Sequence, residues 1–298
     1  MGNKILVIGS INVDNVFYTK NMPEPGKSVF GDSFLSNIGG KGANQACASF
    51  FLNGDVHFVG AIGDDNNGKW VASFLKEQKL PMTLLTKETS TGCATITIDK
   101  LTAENQILVV LGANLKINKD DIDTLDDRFN ESKYLLVQLE NDIDTVCYAI
   151  KKAKEKGLIT ILNPAPYHEL PDDIYPFIDY FVPNEHELDG FIQEKISVED
   201  KCHRLLNKGV SNIIVTLGEK GSFFMNRKES FYIPSRKVKA IDTTGAGDTY
   251  LGAFVTALSQ GKNSKEAMEF ATLASSITVT RKGAILSLPH LEDLSKTP

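Results

Sequence analysis

The chain has 298 residues, 42% hydrophobic and 23% charged, which is ample for a sizeable core and ordinary for a soluble globular protein. Its net charge of −6 argues against nucleic acid as a main partner, because holding a phosphate backbone calls for a basic face. Cys47, Cys93, Cys147 and Cys202 lie far apart with no CxxC pair, which disfavours a zinc site or a disulfide framework and fits a reducing compartment.

The first apolar run, Ile5–Ile8, is too short for a signal or membrane segment, and no later run reaches spanning length. Leu6 also stands where a myristoylation signal on Gly2 would need Ser or Thr. A soluble, cytoplasmic protein is expected. The run ends in Gly9-Ser10-Ile11-Asn12-Val13-Asp14, which sets an amide and a carboxylate at the carboxyl edge of a predicted strand. Asn and Asp suit a polyol, since they donate to and accept from hydroxyls, and both are also ordinary turn formers. Gly39-Gly40-Lys41-Gly42-Ala43-Asn44-Gln45-Ala46 then reads as a glycine-rich turn into a helix, with Lys41 its only basic residue. A phosphorylated sugar would attract more than one cation, so a neutral sugar is favoured.

Further apolar runs follow at Val56–Ile62, Tyr134–Leu139, Leu158–Leu162, Ile178–Val182 and Ile213–Leu217. Apolar at nearly every position, they predict strands buried on both faces, as a parallel sheet requires. Helical stretches such as Ile143–Lys156 and Val198–Lys208 lie between them, so the expected fold is α/β: a mostly parallel central sheet with helices on both faces. Val16–Ser36 and Thr91–Leu111 break the alternation and predict a small antiparallel sheet, a lid over the carboxyl edge. The domain reading is therefore 1–15, 37–90 and 112–298 as the α/β body and 16–36 with 91–111 as the lid. Gly63–Lys69 imitates a Walker A loop, but Trp70 fills the position where Ser or Thr would ligate magnesium. No Gly-x-Gly-x-x-Gly follows the first strand, and His186–Gly190 lacks the second His of a zinc-protease pair.

The most informative segment is Ile241-Asp242-Thr243-Thr244-Gly245-Ala246-Gly247-Asp248-Thr249. Leu251, Phe254, Val255 and Leu258 follow at helical spacing, and Gly261 is placed to end the helix. Free amides at a helix start hold anions, and glycines let phosphate oxygens approach the backbone closely. A carboxylate beside them, Asp248, can take the proton of an attacking hydroxyl while the amides stabilise charge on the transferred group. GAGD alone fits an Asp-capped helix equally well; the longer DTTGAGDT is more specific.

Together with Asn163-Pro164-Ala165-Pro166, Pro183–Glu187, Thr216-Leu217-Gly218 and Thr280–Ala284, these segments resemble the ribokinase (PfkB-type) carbohydrate kinase family over nearly the whole chain. The resemblance implies an ATP-dependent kinase that phosphorylates the 5-hydroxyl of D-ribose, with deoxyribose, another neutral sugar or a nucleoside as alternatives. It implies Asp248 as catalytic base with Gly245, Ala246 and Gly247 as the anion hole, and Asn12, Asp14, Gly40, Lys41, Asn44 and Glu140 as sugar contacts. Asn184 and Glu187 match an NxxE element that organises Mg2+ and phosphate. Thr216, Gly218, Gly221 and Thr272 match nucleotide positions. Asp242, Thr244, Thr278, Arg281, Gly283 and Ser287 match a monovalent-cation site that favours K+. The lid positions imply a homodimer contact. Tyr250 departs from a more common Phe, and Leu111 is less polar than the pattern suggests.

Overall fold

The computed structural model describes residues 3–102 and 104–295. Gly2, where the sequence rejects a lipidation signal, and Ala103, within the second lid segment, lie outside the described residues. In chain order the strands are β1 (Lys4–Ile8), β2 (Asn12–Thr19), β3 (Ser33–Gly39), β4 (Val56–Gly63), β5 (Met82–Lys87), β6 (Gly92–Asp99), β7 (Asn105–Val110), β8 (Ser132–Gln138), β9 (Ile159–Asn163), β10 (Tyr180–Phe181), β11 (Asn212–Thr216), β12 (Ser222–Asn226) and β13 (Ser230–Ile233). The helices are α1 (Lys41–Phe51), α2 (Asn66–Glu77), α3 (Lys119–Asp123), α4 (Asp126–Glu131), α5 (Ile143–Glu155), α6 (Glu185–Phe191), α7 (Val198–Lys208), α8 (Ala246–Ser259), α9 (Ser264–Thr278) and α10 (Leu291–Leu294).

Successive side chains of a strand face opposite ways, and β1 divides accordingly. Ile5 and Val7 enter one apolar core with α1, α8 and α9; Leu6 and Ile8 enter a second with α5 and α7. The sheet therefore carries a helical layer on each face. Its order is β13-β12-β11-β10-β9-β8-β1-β4-β5, parallel from β11 through β5, with β12 and β13 added antiparallel. The predicted strand Ile178–Val182 is reduced to Tyr180–Phe181. Asp179 turns its side chain onto β9, accepting from the Thr160 amide at 2.9 Å, and Pro183 cannot donate at the other end.

The second sheet, β3-β2-β6-β7, is mixed, which corrects the antiparallel expectation. The pairs β2–β3 and β6–β7 are antiparallel hairpins, but β2 and β6 run parallel. Each continues out of the α/β body, β2 after β1 and β6 after β5, and β1 and β5 point the same way. Asp65 anchors this sheet to the body. Its carboxylate caps α2 through the Gly68 amide at 2.7 Å and accepts from the Thr91 amide at 2.8 Å and hydroxyl at 2.7 Å. The Walker-like segment Gly63–Lys69 is thus a structural joint.

Helices α1 and α8 cross in close contact. A Cβ on Gly252 would lie 2.6 Å from both the Ala48 Cβ and the Gln45 carbonyl oxygen, so only glycine fits there. One turn further on, the Ser49 and Thr256 hydroxyls bond at 2.7 Å. The departure at Tyr250 is satisfied in the same layer, where its buried hydroxyl meets Ser222 Oγ at 2.9 Å. Gly252→Ala is expected to lower stability by about 1–3 kcal/mol through overpacking. Chemical denaturation measures this, and an unchanged midpoint would show that the crossing has room for a methyl group.

Candidate functional site

Ser10, Asn12, Glu140, Asn163, Asn184 and Thr216 all end or follow the carboxyl ends of central strands, where open α/β sheets gather ligand groups. Gly40 makes the sharp turn into α1 with φ of 92°, in a space where a Cβ would come within 2.8 Å of the Asn12 amide nitrogen. The turn leaves the Lys41 amide free to donate to Glu140 Oε2 at 3.1 Å, and Ser10 Oγ donates to the same oxygen at 2.5 Å.

Asp248 is the third residue of α8, which begins after Gly245 in the left-handed region. Its carboxylate accepts from Asn44 Nδ2 at 2.8 Å and from Gln45 Nε2 at 2.9 Å. Burial raises the Asp248 carboxyl above its ordinary range; Lys41 and the two amides oppose this, and Glu140 adds to it. Asp14 is pushed up to about 6, by burial first and then by Glu140 and Asp248. Burial alone would push the Lys41 ammonium down, but Asp248, Glu140 and Glu187 together hold it above its usual range. Three carboxylates thus share one lysine.

Ala246 N–H is taken by the Thr243 carbonyl at 3.2 Å, so it closes the turn. A Cβ on Gly247 would meet nothing within 4 Å; neither packing nor backbone angle demands glycine there, and close approach of a ligand would. Asn184 and Glu187 form a capping box on α6, each side chain accepting from the other's amide at 2.8 Å. Burial also raises Glu187, against the Asn184 amide and Lys41. Asn184 bridges to Thr216, and Gly218 and Gly221 are both left-handed in the following turn. Thr272 is buried on α9 with no partner for its hydroxyl among the described residues.

Asp242 ties two loops together, accepting from Thr244 N at 2.9 Å and Gly283 N at 3.1 Å. Burial pushes its carboxyl up, but those amides outweigh it and the group titrates below the usual range. Thr278 Oγ1 meets Thr249 Oγ1 at 2.8 Å, and Ser287 Oγ donates to Ala284 O at 2.7 Å. The Arg281 guanidinium is turned to Asp293 at 3.1 Å. The described residues hold no group of three His, Cys, Asp or Glu side chains placed for a metal ion.

Two groups of residues escaped the sequence reading. Asn114, fully buried, bonds the backbone of Ile11 in both directions at 2.9 Å and donates to Asn12 Oδ1 at 2.9 Å. The Asn12 amide nitrogen is therefore turned away from Asn114. Behind Asp248, Gln45, Gln138 and Asn163 form a buried chain of amides. Its signal was a glutamine inside the otherwise apolar run of β8, since a buried polar group needs partners. The face of the small sheet that carries Asp14 also bears Val16, Leu35, Ile96, Ile107 and Val109, by the alternation along paired strands.

The family model for pfkB family carbohydrate kinases matches residues 3–291. A ribokinase of Staphylococcus aureus is 35% identical over 304 residues, covering 99% of this chain and 100% of that protein. A deoxyribokinase of Salmonella typhi is also 35% identical, covering 98% of this chain and 97% of its own. Among solved structures, Arabidopsis thaliana ribokinase complexed with ribose and ATP matches with a TM-score of 0.91 at 28% identity, over 99% of this chain and 98% of that one.

Asp14 supplies a test of the electrostatics. Its folded value of about 6 lies above the unfolded 3.8, so ionisation weakens the fold as pH rises through that window. Asp14→Asn is expected to raise the unfolding midpoint at pH 7.5, with the gain fading as pH falls from 6 towards 4. A midpoint that drops at pH 7.5 would contradict the assigned burial cost.

Proposed function

The chain belongs to the pfkB family of carbohydrate kinases, and from that premise we propose that it transfers the γ-phosphoryl group of ATP to the 5-hydroxyl of D-ribose. It is an ATP-dependent sugar kinase; the choice of ribose rests on full-length similarity to ribokinases. Deoxyribose is the second reading, because a deoxyribokinase is equally similar at 35% identity. The single observation that carries the mechanism is a carboxylate, Asp248, held by two amides at the start of α8.

In this reading Asp248 accepts the hydroxyl proton as the sugar oxygen attacks phosphorus. The raised carboxyl is a better proton acceptor than an ordinary aspartate. Amides at the α8 start, Gly247 foremost, stabilise the migrating group, and Lys41 faces it among the carboxylates. Asp14, Glu140, Asn12 and Asn44 take the remaining hydroxyls, with Asn12 offering its amide as a donor. Asn44 Oδ1, buried without a partner, is an acceptor ready for a hydroxyl. Thr216, Gly218, Gly221 and Thr272 line the nucleotide side, and the buried Thr272 hydroxyl is free to meet a base.

Two ions fit this arrangement unequally. Mg2+ would neutralise phosphate charge; Glu187 is the protein group suited to it, and without a cluster of acidic ligands among the described residues most of its shell would come from the nucleotide and water. K+ would steady the loops beside the anion hole. Its donors are all oxygen, from Asp242, Thr244, Thr278, Gly283 and Ser287, while the Arg281 side chain points elsewhere and could offer only its carbonyl. We read 16–36 and 91–111 as a lid whose apolar Asp14 face also forms a homodimer contact, since Ile107 on that face is 57% exposed. No helix among the described residues is long and apolar enough to cross a membrane, and the proposed location is the cytoplasm.

ADP release measured over ribose, deoxyribose, other neutral sugars and nucleosides, with and without K+, tests the assignment; the highest kcat/KM is expected for ribose. Asp248→Ala should reduce kcat by about 10³-fold or more with nucleotide affinity nearly unchanged. Near-normal turnover in that variant would remove Asp248 as the base. Light scattering should give a particle of twice 32.7 kDa, and Ile107→Glu should halve it; a monomeric native protein would refute the lid contact.

A further inference from the structure

The residues directly behind Asp248 are uncharged, buried and chemically specific. Gln45 Nε2 donates to Asp248 Oδ1 at 2.9 Å and to Asn163 Oδ1 at 3.0 Å, which uses both of its hydrogens. Gln45 Oε1 accepts from Gln138 Nε2 at 2.6 Å. Asn163 Nδ2 donates to the Val182 carbonyl at 3.0 Å. Gln45 and Gln138 are fully buried.

This chain has one self-consistent direction. Because Asn163 commits its nitrogen to Val182, its oxygen faces Gln45 and requires a donor. Gln138 presents a donor to the other end of the Gln45 amide. Flipping Gln45 would set its oxygen against the Asp248 carboxylate and the Asn163 carbonyl oxygen. The backbone of the central sheet thus dictates which atom of Gln45 meets the carboxylate. From this geometry we infer that Gln45 is a positioning residue for phosphoryl transfer: anchored by Gln138 and Asn163, it fixes the rotamer of Asp248 and, by donating to Oδ1, favours the carboxylate form that accepts the hydroxyl proton. The inference rests on Asp248 acting as the base.

Asn44 alone could not do this. It holds the other oxygen, Oδ2, and a carboxylate held at one oxygen can still rotate about its own axis. The second bond, from a buried amide without rotational freedom, removes that motion, and small displacements of a reacting group are costly to rate. The charged groups around Asp248 are Lys41 from α1, Asp14 from β2, Glu140 after β8 and Glu187 from α6. None belongs to the amide chain, so changing Gln45 alters one donor without removing a neighbouring charge.

The test compares Gln45→Met, which keeps the volume and removes the donor, with Gln45→Glu, which sets a second carboxylate against the first. Steady-state kinetics with ribose and ATP are measured from acid to neutral pH on the full chain. For Gln45→Met, the plateau of kcat is expected to fall about tenfold or more, with both KM values within about threefold. The acid limb of kcat should move to higher pH in Gln45→Met and further in Gln45→Glu. A role confined to packing predicts a lower unfolding temperature with the wild-type limb and plateau, and that result would overturn the inference. If Gln45→Met does not fold, Gln138→Leu removes the donor that holds Gln45 Oε1 and so loosens the same amide without touching Asp248; it should lower kcat and move the limb in the same direction, and an unaltered limb there would equally refute the inference. Asp248→Ala separates the two claims. An active Asp248→Ala sinks the base itself, whereas an inactive one beside a wild-type profile for the Gln45 variants sinks only the positioning role.

Discussion

The close crossing of α1 and α8 is the constraint on which the rest depends. Gly252 lets the two helices touch through their backbones, and the contact sets Asn44 and Gln45, neighbours on α1, against the two oxygens of Asp248 on α8. A methyl group at the crossing would push the donors away from the acceptor. Packing density in the core and the placing of the proposed base are therefore governed by the same few ångströms. The central sheet completes the arrangement, since β8 and β9 end in the amides that orient Gln45.

The electrostatics follow from the same crowding. Glu140, Glu187 and Asp248 converge on one lysine with Asp14 beside Glu140 and Asp248, and burial raises Asp14, Glu187 and Asp248. Such a pocket is poorly suited to a sugar that already carries phosphate, because a further anion would meet uncompensated negative charge. A neutral polyol suits it better, with hydroxyls that donate to carboxylates and relieve their lost hydration. The strain is also useful: a carboxyl raised by burial accepts a proton more readily than one in water.

Much of this was legible from the amino acids. The parallel core followed from runs apolar at nearly every position, and α8 began and ended where Gly245 and Gly261 predicted, the latter with φ of 87°. The carboxylate in its first turn stood out because glycine-rich turns before helices are chemically distinctive. Other features were hidden for physical reasons. Strand direction in the small sheet depends on which core strands its hairpins extend, and composition carries no trace of that. Asn44 and Gln45 are adjacent and both amides, so helical spacing could not say which would be buried behind the base. The NxxE element reads as a ligand motif, yet its side chains also cap a helix, and both uses need the same residues at the same spacing.

The small sheet is built from strands that do not all belong to it alone. Asn12 and Asp14 lie on β2, a strand of that sheet, whereas Glu140, Asn44 and Asp248 are carried by the α/β body. Asp65 fastens one hairpin at Thr91 to α2, and Asn114 fastens the other where β2 follows β1, through Ile11 and Asn12. In the proposed reading, a guest held by both sets of groups would act as a rivet between two plates. Tightening on the guest and drawing the plates together would then be a single event, and a molecule too short to reach both would leave the assembly slack.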